Sequence, residues 1–329
     1  MKAIVIEKQG GLDQINLVEV PLPEVKPDEI LIKLTFAGIN FVDIYERMGV
    51  YPIPLPFILG KEGVGTIINK GERVKQFSLG ERVGFAYVTG GSYSEYIAIN
   101  AEHAVALPPE VDDVIAASCL LQGLTSYFLT HDTFHLQPGH TALIHAAAGG
   151  VGLLTVQMAK LLGAKVIGTV STARKLKLAE EAGADYLIRY DEKDFVKGVM
   201  HWTEGVGVDV VYDSVGATTF TRSFEVLKNR GTIVSFGQSS GVIPPIDLNS
   251  RLGNRTQQRG SFYVTRPVIR HYIDNQEALK FKTNALFNYI IQGKIRILVG
   301  NQYTLENCRQ AHQDLENRLT LGKSILKII

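Results

Sequence analysis

TALIHAAAGGVGLLTVQMAKLLGA, residues Thr141–Ala164, decides how this 329-residue chain folds. An apolar strand, Thr141–Ala146, runs straight into a glycine turn. The turn opens a helix whose apolar positions Val151, Leu154, Met158 and Leu161 or Leu162 recur at three- to four-residue spacing. Gly163 stands where that helix is expected to end. A small-residue turn between a parallel strand and a helix lets backbone N–H groups reach a pyrophosphate, whose charge the helix dipole favours. The pattern is A-x-G-x-x-G, with Ala147 in the first glycine position and Gly149 and Gly152 in the others. Ala148, Gly149, Gly150, Val151 and Gly152 are therefore candidate dinucleotide-binding residues; the alternative is a purely structural tight turn.

Outward from this stretch the chain alternates strand and helix. Strands are expected at Thr141–Ala146, Lys165–Val170, Tyr186–Tyr190, Val208–Val215, Gly231–Phe236 and Gly260–Val264, with helices near 151–163, 172–182, 192–203 and 217–229. Six such strands make a doubly wound parallel sheet, the Rossmann form of the α/β class. Gln238–Arg259 is a long irregular link containing Pro244-Pro245. The N-terminal third reads instead as short β segments: Ala3–Ile6, Glu29–Phe36, Gly63–Asn69, Arg82–Phe85 and Ser94–Ile99, punctuated by Gly and Pro turns. This is a barrel-like β domain, followed by a helix around Val111–Thr130. After Val264 come a helical stretch (Arg266–Gln292), a strand near Arg296–Val299, a helix (Leu305–Asn317) and a terminal strand (Ser324–Ile328). The first domain lacks helices to cover it, so the tail is expected to return there. The expected division is residues 1–123 with 266–329, and 124–265.

Composition bounds the partners. The chain is 45% hydrophobic and 20% charged with net charge +1, so no global field points to nucleic acid or an anionic membrane. Two cysteines, Cys119 and Cys308, make neither a zinc ribbon nor a disulfide framework. With no signal-peptide pattern at the N-terminus, a cytoplasmic location is expected. Ala142–Ala159 is apolar but carries His145, Thr155, Gln157 and three central glycines, and reads as a buried strand and helix rather than a membrane span. The eight histidines show no metal-ligand spacing. His145 reads as a core histidine rather than a catalyst.

An acidic residue about 20 residues past such a turn grips the ribose of NAD. Here the second strand runs instead into Ser171-Thr172-Ala173-Arg174-Lys175. Hydroxyl residues followed by two cations suit a 2′-phosphate, with Lys175 or Arg174 as its partner, so NADPH is the expected cofactor. The plainer reading of Arg174, Lys175 and Lys177 is a solvated helix face.

AAAGGVG with VQMAKLLGAKVIGT, VVYDSVG (Val210–Gly216), GTIVSFGQSSG (Gly231–Gly241), SFYVTRP (Ser261–Pro267) and AGINFVDIYERMGVYP (Ala37–Pro52) together resemble the quinone oxidoreductases. These form the zeta-crystallin-like branch of the medium-chain dehydrogenase/reductase superfamily. The resemblance covers essentially the whole chain and implies a GroES-like catalytic domain beside the Rossmann domain. The alcohol dehydrogenases of that superfamily hold a catalytic zinc through Cys, His and a further ligand. Here Asn40 falls on the first Cys position and Lys61, in GKEGVG, on the His position. An amide and an ammonium do not replace thiolate and imidazole. Cys119 lies near the third ligand's region, with Leu121 and Gln122 the closer match, and the four-cysteine structural lobe is missing. Val42 and Tyr45 stand where a proton relay would be. No metal is expected, and alcohol oxidation is disfavoured.

The resemblance implies hydride or electron transfer from NADPH to a quinone, or another electrophilic acceptor, in a cleft between the domains. Asn40, Tyr45 and Tyr51 line that acceptor, with Asn40 or a tyrosine hydroxyl donating to the quinone oxygen; the plainer reading of the tyrosines is wall packing. Asp43 is placed with the cofactor-binding positions, and is read as a brace of the loop rather than a base. Also by resemblance, Thr125 lies near the nicotinamide and Tyr190 near the 2′-phosphate region of Ser171, Thr172 and Lys175, the plainer reading of Tyr190 being a strand-end aromatic. Ser214, Gly237 and Gln238 border the crevice, Phe262, Tyr263 and Val264 hold the carboxamide through their backbone, and Arg318 reaches the phosphates, the alternative being a surface arginine in Glu316-Asn317-Arg318. One rival is an alkenal or enone reductase of the same branch. Another is a non-catalytic NADPH-binding, crystallin-like or RNA-binding protein, against which the neutral charge counts. The apolar sixth strand, an open edge, predicts a homodimer joined edge to edge.

Overall fold

Alternation along Glu29–Gly38 turns Ile30, Ile32 and Leu34 to one side, where they are buried against Ile67, Val83, Phe85, Ile97 and Ile99. The computed structural model describes residues 1–253 and 259–328, and divides into two units, Met1–Leu124 with Ile273–Ile329, and Thr125–Tyr272. The first unit contains β1 (Lys2–Ile6), β2 (Asn16–Glu19), β3 (Glu29–Gly38), α1 (Phe41–Met48), β4 (Phe57–Ile58), β5 (Gly63–Lys70), β6 (Arg82–Phe85), β7 (Tyr96–Asn100) and β8 (Ala104–Ala106). The chain continues through α2 (Asp113–Phe128) into the second unit. There follow β9 (Thr141–Ile144), α3 (Gly150–Leu161), β10 (Lys165–Val170), α4 (Ala173–Glu181), β11 (Tyr186–Arg189), α5 (Phe195–Trp202) and β12 (Val208–Asp213). That unit ends with α6 (Phe220–Ser223), β13 (Leu227–Ser235), α7 (Leu248–Arg251) and β14 (Tyr263–Thr265). The last elements, α8 (Gln276–Ile291), β15 (Val299–Thr304), α9 (Cys308–Glu316) and β16 (Lys323–Lys327), belong to the first unit again.

In the first unit β2-β1-β4 form a small antiparallel sheet, and a larger sheet runs β15-β16-β3-β5-β6-β8 with β7 also paired to β3. The chain's last strand thus lies beside β3, with Ile325 opposite Gly38 and Leu326 opposite Ala37. A second core joins Ile4, Ile6, Ile39, Phe57, Leu59 and Leu326 to Leu305, Cys308 and Ala311. In the second unit the order is β11-β10-β9-β12-β13-β14, every neighbouring pair parallel. Its core stacks Leu143, Ile167, Ile188, Val211 and Ile233 against Phe195, Phe220 and Phe224. Strand order reverses between β9 and β12, the topological switch point at which open α/β sheets bind ligands.

Several boundaries differ from the sequence expectation for identifiable reasons. No helix was expected between Asn40 and Pro52, yet α1 forms there, because the Asp43 carboxylate reaches back to the Asn40 N–H and Gly49, at φ 84°, ends the helix. The helix expected near 217–229 shrinks to α6 and a 3-10 turn; β13 begins early, at Leu227 opposite Val208, and bulges before resuming at Thr232. The sixth strand is only Tyr263–Thr265, since Ser261 takes φ 57° and the Phe262 N–H turns to Leu252 O. The expected helix from Arg266 starts only at Gln276, where the Asn275 side chain accepts from the Ala278 N–H. The strand expected near Arg296–Val299 is β15, shifted to begin at Val299. Of the expected link Gln238–Arg259, residues 254–258 lie outside the described residues. No helix among the described residues is long and apolar enough to cross a membrane.

Leu143 is fully buried on central strand β9. Leu143→Ala is expected to cost about 2–5 kcal/mol, read as a lower urea midpoint at unchanged slope.

Candidate active site

The glycine turn is built by a left-handed residue other than a glycine. Ala146 adopts φ 52°, the Gly149 N–H returns to Ala146 O (2.8 Å), and Gly149 caps α3. A Cβ on Gly152 would lie 2.2 Å from Ala146 O, so the third position of the motif requires glycine for the helix to pack on the turn. The first position tolerates Ala147 because Gly168 faces it from β10; a Cβ there would come within 2.8 Å of the Ala147 Cβ. The substitution in one strand is compensated by a glycine in the next. Gly150, Val151 and Gly152 occupy the first helical turn, where backbone N–H groups have no intrahelical acceptor, while among the described residues a Cβ on Gly149 would meet only Ala146 O, at 3.2 Å. This is a cradle suited to a pyrophosphate.

Around it stand the ends of the other strands. Ser171 follows β10, and the Thr172 side chain accepts from the Lys175 N–H (3.2 Å), which sets Lys175 in the first turn of α4. The Tyr190 N–H bonds Val170 O (3.1 Å), so this tyrosine, 45% exposed, lies beside the same strand end. Gly237 abuts Ser214, whose carbonyl a Cβ on Gly237 would approach to 2.7 Å. Gln238 is buried, and its Oε1 accepts from Arg266 Nη2 (3.1 Å), while Nη1 of the same guanidinium donates to Ser235 Oγ (3.2 Å). Tyr263 and Val264 form β14, but the Phe262 side chain belongs to the core. Thr125 lies within α2, and Arg318 follows α9 at φ 60° in the first unit. His145 is buried between Thr169 Oγ1 (3.0 Å) and Ser223 Oγ (3.1 Å), and burial holds its pKa down. It is a neutral core bridge.

Two residues here escaped the sequence reading. Asp213 Oδ1 accepts from the Val215 N–H (2.7 Å), the Gly216 N–H (3.0 Å) and Thr219 Oγ1 (2.9 Å), and so shapes the loop after β12. The Asp-Ser-Val-Gly string was an available turn signal. Arg266 had no comparable local signal.

In the first unit the candidates gather on α1. Asn40 is its N-cap. Asn40 Nδ2 donates to Glu62 Oε1 (2.9 Å) and Gly38 O (3.3 Å), and Asn40 Oδ1 accepts from Lys323 Nζ (2.6 Å). An amide has two hydrogens, and both are committed inward. The expected donation from Asn40 to an acceptor oxygen is therefore corrected. Tyr45 and Tyr51 meet edge to face with ring centres 5.4 Å apart, and Phe41 lies 6.1 Å from Tyr45. Gln9 Nε2 donates to Tyr51 O (2.8 Å) and Glu46 O (2.6 Å), holding the loop to the helix.

Asp43 is wholly buried. Its Oδ2 accepts from the Asn40 N–H (2.8 Å) and Tyr93 OH (2.7 Å), so the side chain braces α1 rather than meeting a cofactor, which corrects its place in the cofactor-binding set. Burial pushes its pKa up to about 7, against the lowering effect of the Tyr93 hydrogen bond.

The positions at which metal-dependent relatives would place zinc ligands do not fit that ion. Lys61 Nζ pairs with Glu46 (2.6 Å), and an ammonium already sits on the Asn40 oxygen. Burial raises the pKa of Cys119 well above the thiol range, and its Sγ faces Ala116 O. Among the described residues no three His, Cys, Asp or Glu side chains gather as a metal site. An amide and two ammonium groups are poor zinc donors.

Residues 26–109 match the family model of the alcohol dehydrogenase GroES-like domain, and residues 150–278 that of the zinc-binding dehydrogenases. With the six-stranded parallel sheet, the two models define a medium-chain dehydrogenase/reductase. Quinone oxidoreductase 1 of Escherichia coli K12 is 42% identical over 326 residues, 98% of each chain. The crystal structure of Escherichia coli quinone oxidoreductase complexed with NADPH matches with a TM-score of 0.94 at 41% identity, covering 99% of this chain and 100% of that one. The 2-haloacrylate reductase of a Burkholderia species is 37% identical over 331 residues, 98% of each chain. The chain belongs to the quinone oxidoreductase family.

The Asp43 shift has a sign that can be tested. A carboxyl whose pKa is about 7 in the fold and 3.8 ordinarily adds stability that is complete below about pH 4 and is lost as pH rises through 7. Asp43→Asn keeps an acceptor for the Asn40 N–H and Tyr93 OH. It is expected to flatten the fall in unfolding free energy between about pH 4 and 8, measured in urea at each pH.

Proposed function

We propose that this protein transfers a hydride from NADPH to a quinone. The observation that carries the reading is the full-length likeness to the Escherichia coli quinone oxidoreductase complexed with NADPH. The residues present fit that cofactor: first-turn amides at the start of α3, no carboxylate where β10 ends, and Ser171, Thr172 and Lys175 in its place. When bound, NADPH supplies the hydride. The chain's part is positioning. The first-turn amides of α3 hold the pyrophosphate, and the hydroxyls and ammonium after β10 hold the 2′-phosphate. Tyr190, Ser214, Gly237 and Gln238 border the cofactor, and Tyr45 and Tyr51 wall the acceptor, a tyrosine hydroxyl donating to the oxygen that gains charge. An aromatic hydroquinone is a stable product, so an acceptor of this kind needs orientation more than activation.

The likeness to a 2-haloacrylate reductase favours a second reading, in which the acceptor is an activated C=C bond. We also propose a homodimer. β14 pairs only with β13 among the described strands, and Tyr263 and Val264 on it are 57% and 37% exposed. Two-fold pairing of such edges closes both.

Steady-state oxidation of NADPH and NADH with a small quinone, in EDTA, tests the function. The expected result is NADPH-selective turnover that the chelator leaves unchanged, with Lys175→Glu raising the KM for NADPH about tenfold or more and that for NADH little. Faster turnover of a haloacrylate or enone than of any quinone would favour the second reading. Light scattering at micromolar concentration is expected to give twice the chain mass, and a monomer would sink the edge pairing.

A further inference from the structure

The last strand, β16, carries Lys323, a lysine only 2% exposed. Its ammonium has three hydrogens and three oxygen partners: Ile39 O (3.0 Å), Asn40 Oδ1 (2.6 Å) and Glu62 Oε1 (2.5 Å). Two of those oxygens belong to the junction between β3 and α1. Glu62 completes the set, its Oε1 also taking Asn40 Nδ2 and its Oε2 the Leu121 N–H (2.8 Å). The Asn40 amide is therefore fixed in orientation, its oxygen against a cation and its nitrogen against an anion. The fit is tight, since a Cβ on Gly38 would lie 2.2 Å from Glu62 Oε1. β16 ties the same junction through its backbone, the Ile39 N–H donating to Ser324 O (3.1 Å).

We propose that Lys323 is a positioning residue for the acceptor, acting through Asn40 on the start of α1 and so on Tyr45 and Tyr51. The inference rests on the quinone reductase reading for its kinetic consequence, but not for its structural one. A buried ammonium in a cage of oxygens holds direction as well as charge, and an apolar residue of similar length holds neither. α1 is short, so its entry angle depends on what grips its first residues.

The test compares Lys323→Met, and the neutral pair Lys323→Met with Glu62→Gln, which leaves no unpaired buried charge if the single variant does not fold. Hydrogen exchange of the amides of residues 43–47 is expected to quicken about tenfold or more in either variant, while the amides of α3 keep their wild-type rates. The quinone KM is expected to rise about tenfold in the folded protein, with NADPH affinity unchanged within about twofold. Wild-type exchange at 43–47 together with a wild-type quinone KM would overturn the role of Lys323. Absence of quinone turnover in the unaltered protein would instead overturn the functional reading, and exchange alone would then decide for Lys323.

Discussion

A buried ammonium with all three hydrogens satisfied holds the first unit together where it matters. Lys323 comes from the end of the chain, Ile39 and Asn40 from the end of β3, and Glu62 from the approach to β5. Taking a lysine and a glutamate out of water costs several kcal/mol per ion unless each remaining donor and acceptor finds a partner. Here the partners are a backbone carbonyl, a side-chain amide and a backbone N–H. Such a set is satisfied only when β16 lies beside β3 and α1 starts at Asn40. The interaction thus selects one arrangement among compact alternatives, which a merely apolar contact would do less sharply. Asp43 and Tyr93 support the same helix start through the Asn40 N–H.

In the second unit the governing constraint is close approach rather than charge. α3 can press on the strand end only because Gly152 has no side chain, and Ala147 fits only because Gly168 has none. The left-handed backbone usually supplied by glycine falls on Ala146 instead. Together these set the first-turn amides of α3, which have no intrahelical acceptor, at the carboxyl end of the strands. His145, a conspicuous residue in the sequence, takes no part in the site. It spends both ring nitrogens on hydroxyls inside the core.

Much of this was legible beforehand because it is local. The six parallel strands followed from apolar runs separated by helix-length segments, and the cofactor preference from Ser171 and Lys175 where an acid would otherwise stand. Other features were hidden by their dependence on distant residues. α1 is only eight residues long, and its cap, an Asn and an Asp three apart, is a weak signal without Tyr93 behind it. Asn40 read as a donor because its amide is polar and sits at a ligand position. Nothing near it in sequence reveals that Glu62 and Lys323 absorb that capacity. Arg266 likewise gains meaning only from Ser235 and Gln238.

The sequence by itself determined the class of fold, a glycine turn suited to a dinucleotide, and the misfit of zinc at Asn40 and Lys61. Each depends on residue types at fixed spacing along one segment, and short-range sterics and donor chemistry decide those outcomes. Only the tertiary structure decided which polar groups are spent inside the protein and which remain for a ligand. That division depends on pairings such as Lys323 with Asn40 and Glu62, or Asp43 with Tyr93, between segments far apart in the chain. A buried charge has no meaning until its partner is in place, and the partner arrives only with the fold.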